Sequence, residues 1–361
     1  MREHIMLKRK FGHFIVKRYA SATISTKQKE DIPPKSHVFK KKLFTTHTEL
    51  ADNLAENAIF NKKGLLILNK PYGLKKEQKE EYRSNIQVAL HPSVSKIDHL
   101  SFAGALPRLC ESLSIDQLNL LKLPERYTSG ISILSFKDSA KKRIEKYLRR
   151  PFIQPYTYLV LCNGIPKEEE NSANLGITLQ EKKNLKKVIT LEEYSSNSSK
   201  SHKVFPLRIH YRVLDVNEEL KISLLKLTAN RNKWHCLRLY CATNLLSPCL
   251  GDWLFSPRVR YINNVAVLAD PFNPIADSPV DLPDKILEAL QIRKNDQKSI
   301  PLHMHLSKLD LSSIGVDNTF IAKPPEHFLW SCQQLGISVP EFYMNNCSMP
   351  FEKRIDSVEA T

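Results

Sequence analysis

Short apolar runs of strand length, separated by turn residues, are the feature that most restricts how this chain can fold. The predicted strands are residues 65–68, 118–123, 131–136, 156–162, 205–214, 220–228 and 302–311. Helical spacing of apolar residues predicts helices at 103–113, 138–150, 284–293 and 326–335. Because the strands outnumber the helices and do not alternate regularly with them, the pattern predicts an α+β fold with a mainly antiparallel central sheet flanked by helices.

The chain carries a large positive charge, which restricts its partners. Its 361 residues include 54 Lys and Arg against 38 Asp and Glu, a formal net charge of +16. Such a field attracts polyanions, namely RNA, DNA or an anionic membrane surface. The longest apolar runs fall far short of the ~20 residues that a membrane span needs, so no span is predicted.

The first 19 residues have the character of a mitochondrial targeting leader. Apolar residues recur at helical spacing among Lys and Arg, and only Glu3 is acidic before Glu30. The sequence Arg18-Tyr19-Ala20-Ser21 is typical of a processing site with cleavage after Tyr19, and an unbroken secretory apolar core is missing. The leader predicts the mitochondrial matrix, with residues 20–58 as a basic linker. The alternative is a disordered basic tail that binds RNA directly.

The seven cysteines argue for a reducing compartment. They are odd in number and contain no Cys-x-x-Cys pair, so neither a disulfide framework nor a structural zinc site is predicted. His303 and His305 could share one face of a strand, but no nearby Cys or acidic residue completes a metal shell. We therefore expect no metal site.

A predicted basic helix and a polar segment follow in the middle of the chain. The helix at 138–150 has six basic residues against Glu145 on its solvent faces, and Lys142, Lys146 and Arg149 are the predicted phosphate contacts. Residues 165–203 are rich in Ser, Asn, Lys and Glu and predict a mobile insertion.

The loop before the strand at 131–136 is a candidate functional site. Glu125 and Arg126 precede Thr128-Ser129-Gly130, a tight turn of small residues. Taken alone, the loop is either an ordinary surface turn or a turn that positions the Glu125 carboxylate in a pocket.

Five segments, this loop among them, resemble one family in their order and spacing. Leu68-Asn69-Lys70-Pro71-Tyr72-Gly73-Leu74 is similar to an N-K-P-x-G-L motif, and Thr128-Ser129-Gly130 matches the T-S-G of H-R-L-D-x-x-T-S-G-L. Tyr156 to Gly164 is similar to K-x-Y-x-A-L-V-x-G. Arg231 to Tyr240 is similar to T-G-R-T-H-Q-I-R-V-H, and Gly251-Asp252 matches the G-D that closes this segment. Leu302-His303 and Phe320 to Pro325 are similar to the L-H…F-x-A-P-x-P ending. From residue 59 to residue 337 the chain resembles the RluA-type pseudouridine synthases, and within them the mitochondrial RNA pseudouridine synthase domain-containing branch.

The resemblance implies a pseudouridine synthase fold over residues 59–337, a C-terminal tail at 338–361, and catalysis without cofactor or metal. It places the family's catalytic aspartate at Glu125, its base-stacking tyrosine at Tyr156, and at Arg238 the arginine that pairs with the carboxylate. Arg126, Lys233 and His235 would contact RNA, with His235 or Lys233 alternatively ordering the loop.

Two functions remain open at this stage. The first is a mitochondrial enzyme that isomerises uridine to pseudouridine in rRNA, mRNA or tRNA through Glu125. The second is a catalytically retired RNA-binding factor for mitochondrial ribosome or RNA-granule assembly, alongside the proteins of those particles. Retention of Glu125, Tyr156 and Arg238 together favours the enzyme.

Overall fold

The computed structural model describes residues 37–40, 44–77, 100–150, 156–263, 265–311 and 318–350. The strands are β1 Ala58–Lys62, β2 Leu65–Lys70, β3 Asn119–Lys122, β4 Ser129–Ser135, β5 Tyr156–Asn163, β6 Glu170–Lys182, β7 Leu185–Leu191, β8 Phe205–Asn217, β9 Ile222–Ala229, β10 Val259–Ile262, β11 Val265–Leu268, β12 Met304–Asp310, β13 Asn318–Ile321 and β14 Cys347–Pro350. The helices are α1 His37–Lys40, α2 His47–Glu56, α3 Phe102–Leu113, α4 Asp138–Leu148, α5 Ser196–Lys200, α6 Cys236–Thr243, α7 Asp284–Ala289 and α8 Glu326–Gln334. The predicted leader, 1–19, lies outside the described residues.

One sheet organises the described part of the chain. Twelve of its strands pair in this sheet, with the main order β1-β2-β4-β12-β5-β9-β8-β6-β7. All pairings between these strands are antiparallel except that of β4 with β12, which covers the two residue pairs Ser129–His305 and Gly130–Leu306. The predicted α+β class, with a mainly antiparallel central sheet flanked by helices, is confirmed.

Both faces of this sheet are buried, because apolar side chains alternate between two cores along its central strands. On β5, Tyr158 and Val160 belong to the core that α4 and α6 cover. The alternate residues Leu159 and Leu161 belong to a second core on the other face of the sheet, which α7 and α8 cover. On the latter face, α2 and α3 pack against β2 in a third cluster. None of the described helices is long and apolar enough to cross a bilayer.

The helices on β2 begin at polar caps that the sequence supplies. Thr46 accepts a hydrogen bond from the Glu49 amide at 3.1 Å, and the Glu49 carboxylate accepts one from the Thr45 amide at 2.8 Å. At the start of α3, Ser101 Oγ accepts from the Gly104 amide at 3.1 Å. These side chains satisfy amides that the first turn of a helix leaves without partners. The domain therefore begins before residue 59, since α2 lies within the predicted linker.

Residues 165–203, which their composition predicted to be a mobile insertion, form regular secondary structure. They contain β6, β7 and α5, and β6 pairs with β8 along eight residues from Glu170–Arg212 to Ile177–Phe205. The physical reason is the position of β6 and β7 at the end of the sheet, where seven of the 13 residues of β6 are exposed and polar residues are tolerated in strands. The predicted C-terminal tail is likewise structured up to residue 350, since β14 pairs with β13.

Candidate active site

A buried lysine holds the loop that carries Glu125 in place. Lys70 is 0% exposed, and its ammonium donates to the carbonyls of Pro71 at 3.1 Å, Leu74 at 3.2 Å and Arg126 at 3.4 Å. The Gly73 amide also donates to the Arg126 carbonyl, at 2.9 Å. A buried charge needs such partners, and here they join the turn after β2 to the Glu125 loop.

The glycine that follows this loop is required where β4 pairs in parallel with β12. Gly130 has a φ of 116°, and a Cβ at this position would collide with the carbonyl oxygen of Leu306 on β12. Only glycine combines this backbone angle with such a close approach. The predicted tight turn is therefore fixed against β12, and the Thr128 amide closes it by donating to the Glu125 carbonyl at 2.9 Å.

Glu125 contacts His235 directly. The distance between Glu125 Oε2 and His235 Nδ1 is 2.5 Å, and the two side chains are 27% and 17% exposed. His235 reaches this position because it and Trp234 adopt left-handed backbone angles, with φ of 58° and 54°, immediately before α6. Left-handed angles are uncommon in residues other than glycine, and here they bring the His235 ring to Glu125. The expected loop-ordering role of His235 agrees with this contact.

The surroundings keep Glu125 ionised. Burial alone would raise the pKa of its carboxyl group, but His235, with smaller contributions from Arg238 and Lys122, outweighs burial and lowers this pKa. Glu125 is thus a partly exposed carboxylate whose charge is favoured by His235, Arg238 and Lys122.

The predicted ion pair between Arg238 and Glu125 is wrong. Arg238 instead forms an ion pair with Asp252, and the two side chains are 5% and 0% exposed. Asp252 Oδ1 also accepts from the amides of Leu254 at 2.8 Å and Phe255 at 3.2 Å. These amides fix Asp252 as the nearest anion to Arg238, which therefore acts on Glu125 only through its electrostatic field.

Lys122 is a residue of the site that the sequence reasoning missed. Its ammonium lies 4.9 Å from the centre of the Tyr156 ring, a cation–π distance. Burial lowers the pKa of Lys122, while the Glu125 carboxylate opposes this change. Lys122 stands where the resembling motif has histidine, and that departure was the available signal.

Tyr156 itself lies at the start of β5 and is 5% exposed. Burial raises the pKa of its phenol, so the hydroxyl stays protonated at neutral pH. Lys122 thus covers one ring face of a buried tyrosine that adjoins the Glu125 loop.

The other predicted RNA contacts are arranged in two ways. Lys233 lies 3.2 Å from the centre of the Phe205 ring and 4.5 Å from that of Trp234, and Arg126 donates from Nε to the Gly73 carbonyl at 3.3 Å. Both side chains therefore order the loops around Glu125. On α4, by contrast, Lys142, Lys146 and Arg149 are exposed.

The structure also places the groups that could hold a metal. Among the residues described, one group of at least three His, Cys, Asp or Glu side chains has donor atoms within 4.8 Å of one another, and it consists of Cys162, Cys241 and Cys249. None of them contacts Glu125 in the described hydrogen bonds. His303 and His305 are buried, and each ring makes two hydrogen bonds to core residues.

Comparison with known proteins identifies the fold and the relatives. No protein family model matches the chain. The human mitochondrial mRNA pseudouridine synthase RPUSD3 is 24% identical over 300 residues, which cover 80% of this chain and 78% of that protein. The bovine mitochondrial pseudouridylate synthase RPUSD4 is 24% identical over 303 residues, which cover 81% of this chain and 72% of that protein. The chain is thus similar along most of its length to these two mitochondrial pseudouridine synthases.

A solved structure agrees with this relationship. The human RNA pseudouridylate synthase domain containing 4 superposes with a TM-score of 0.59 and 20% sequence identity, covering 82% of this chain and 98% of that one. The sequence motifs implied a pseudouridine synthase fold, and this superposition confirms that fold for the present chain.

Proposed function

We propose that this protein is a mitochondrial RNA pseudouridine synthase, which isomerises uridine to pseudouridine in rRNA, mRNA or tRNA. The observation that carries the proposal is the ionised Glu125 carboxylate, held 2.5 Å from His235 on a loop fixed by the buried Lys70. A carboxylate whose pKa is lowered by His235, Arg238 and Lys122 despite its burial is the kind of perturbed group that is common at catalytic sites.

The reaction breaks the C1′–N1 bond of uridine, turns the uracil and rejoins it through C5. Glu125 acts at the sugar, either as the nucleophile at C1′ or as the base at C2′. A carboxylate suits both roles, because it is charged at neutral pH and stabilises positive charge that develops on the sugar. Neither role needs a metal or an organic cofactor.

Tyr156 provides the surface for the flipped uracil in this proposal. A base removed from its helix gains stacking energy on an aromatic ring. Since Lys122 lies 4.9 Å above the ring, the lysine must swing aside as the base binds, and its ammonium then becomes available to RNA. Arg238, paired with Asp252, supplies a positive field that keeps Glu125 ionised.

RNA binding outside the pocket is assigned to exposed basic residues. Lys142, Lys146 and Arg149 on α4 would neutralise phosphates, while Arg126, Lys233 and His235 hold the loops that face the RNA. Residues 1–19 would direct the protein to the mitochondrial matrix, where ribosomal or RNA-granule proteins are its neighbours. A fusion of residues 1–40 to a reporter tests this localisation, which is wrong if the reporter stays in the cytosol.

The test of the activity is Glu125→Gln, which keeps the size of the side chain and removes its charge. A transcript-wide pseudouridine map of mitochondrial RNA is made from cells that lack the protein and are rescued with wild type or variant. We expect sites that wild type restores and Glu125→Gln does not, with a rate loss of at least ~100-fold on purified substrate RNA.

The matched control is Glu111→Gln, because Glu111 is an exposed glutamate on α3 whose side chain is 69% accessible. This variant should restore the same sites as wild type. Equal pseudouridine maps and full rescue with Glu125→Gln would reject the enzyme, and the protein would then be an RNA-binding assembly factor.

A further inference from the structure

Three of the seven cysteines, distant in sequence, converge between the sheet and α6. Cys162 lies on β5, Cys241 on α6, and Cys249 in the segment that follows α6. Their sulfur atoms all lie within 4.8 Å of one another. The three residues are 0%, 0% and 2% exposed. Their spacing in the sequence gives no motif, so only the fold shows this thiol cluster, by which we mean Cys162, Cys241 and Cys249.

The backbone holds the thiol cluster in place. Cys162 and Cys249 face each other in an antiparallel bridge. The Asn163 amide donates to the Pro248 carbonyl and the Leu250 amide to the Leu161 carbonyl, both at 2.8 Å. Because these bonds flank the cysteine pair, it is of the non-hydrogen-bonded type, in which side chains come closest.

The third cysteine is tied to the same segment. The Cys241 carbonyl, near the end of α6, accepts from the Ser247 amide at 2.9 Å. All three Cβ positions are therefore fixed before any ligand binds. Such preorganisation reduces the entropy that binding would lose.

The spacing of the sulfur atoms suits a thiolate-bound cation. A Zn–S bond of about 2.3 Å in a tetrahedron separates the sulfur atoms by roughly 3.8 Å, which small side-chain rotations would reach from the observed spacing. Thiolates are common ligands of zinc, a borderline-soft d¹⁰ cation, and of softer cations.

A small cavity lies beside the thiol cluster. It has a volume of ≈ 20 Å³, and its lining includes Cys249, Asp252 and Gln297. This is enough space for one water molecule. The Asp252 side chain is fully buried, and among the described residues its Oδ2 atom has no hydrogen-bond partner. A water in this cavity would thus find an acceptor at its wall.

We propose that Cys162, Cys241 and Cys249 bind one zinc ion through three thiolates, with a water molecule in the adjacent cavity as the fourth ligand. Binding releases the thiol protons to solvent, and no oxidation or reduction takes place. The ion joins β5 to α6 and to the segment that carries Asp252, so it braces the Arg238–Asp252 pair behind Glu125. The site does not depend on the activity proposed above.

The experiment uses the full chain, purified under a phosphine reductant that does not bind the metal. Elemental analysis measures zinc, and titration of the metal-depleted protein with Cd²⁺ follows the thiolate-to-cadmium charge-transfer absorption in the ultraviolet. We expect one equivalent of zinc and a band that saturates at one equivalent of Cd²⁺. Cys241→Ala should lose the zinc and weaken Cd²⁺ binding at least tenfold.

The matched control is Cys332→Ala, because Cys332 is 1% exposed and lies outside the thiol cluster. It removes the same atoms from a core and should keep both the zinc and the cadmium band. The proposal is overturned if folded wild type shows no saturable band, or if Cys332→Ala loses as much binding as Cys241→Ala. The wild-type titration decides by itself if Cys241→Ala does not fold.

Discussion

Replacing Asp252 with asparagine should destabilise the protein far more than the loss of an ordinary ion pair. The asparagine side chain would keep an acceptor for the Leu254 and Phe255 amides, so the change removes little except the charge. Arg238, 5% exposed, is then left as a buried cation without its counter-ion. Removal of one partner from a buried ion pair costs about 3–5 kcal/mol of unfolding free energy.

Urea denaturation of Asp252→Asn and wild type measures this difference, provided that the slope of the transition is unchanged. Glu218→Gln is the matched control, because the Glu218–Lys221 pair is 70% and 69% exposed and should contribute less than ~1 kcal/mol. A double variant, Asp252→Asn with Arg238→Met, should recover much of the loss, since no unpaired charge remains. A cost below ~1 kcal/mol for Asp252→Asn alone would refute the assignment of a buried, mutually dependent pair.

Three further predictions concern the candidate site and the basic helix. The lowered pKa of Glu125 means that its ionisation stabilises the fold above its unfolded-state pKa of 4.5, and that this contribution is lost as pH falls through the lower folded-state value. Denaturation of wild type and Glu125→Gln should therefore give a difference in unfolding free energy that is constant near pH 7 and becomes smaller below pH 4.5. His235→Ala removes the largest stabiliser of the charged carboxyl group, so the acid limb of the pH–rate profile should move to higher pH, and an unmoved limb would contradict the assignment. Replacement of Lys142, Lys146 and Arg149 by alanine should flatten the salt dependence of RNA binding by ~0.7–0.9 logarithmic units for each phosphate that is no longer neutralised, whereas an unchanged slope would show that α4 does not contact RNA.

The secondary structure was predictable where the side-chain pattern reports burial. The strands β2, β4, β5, β9 and β12 follow from apolar runs that are buried on both faces of the sheet, and β8 follows from an alternating run that is buried on one face. The same reasoning failed for β6, because a strand near the sheet end exposes most of its side chains and has the composition of a loop.

The candidate site was predictable in its members but not in all its pairings. Glu125, Tyr156, His235 and Arg238 were each identified from motifs. Glu125 contacts His235 and not Arg238 because Trp234 and His235 have left-handed backbone angles. The spacing of residues in the sequence does not predict such angles. Asp252 was matched to a motif and Lys122 departs from one, but only the tertiary structure shows that they contact Arg238 and Tyr156.

The parallel junction of β4 with β12 has a consequence for how the protein is made. Ser129 and His305, whose side chains are 2.8 Å apart there, are separated by 176 residues along the chain. Contacts of such high sequence separation form late, because the loop between them must close first. When the chain emerges from a ribosome or a translocation pore N-terminus first, Ser129 and Gly130 at the start of β4 lack their β12 partners until residue 306 is out. We expect this nascent intermediate to bind chaperones, and the Glu125 loop to reach its final position only in the last stage of synthesis or import.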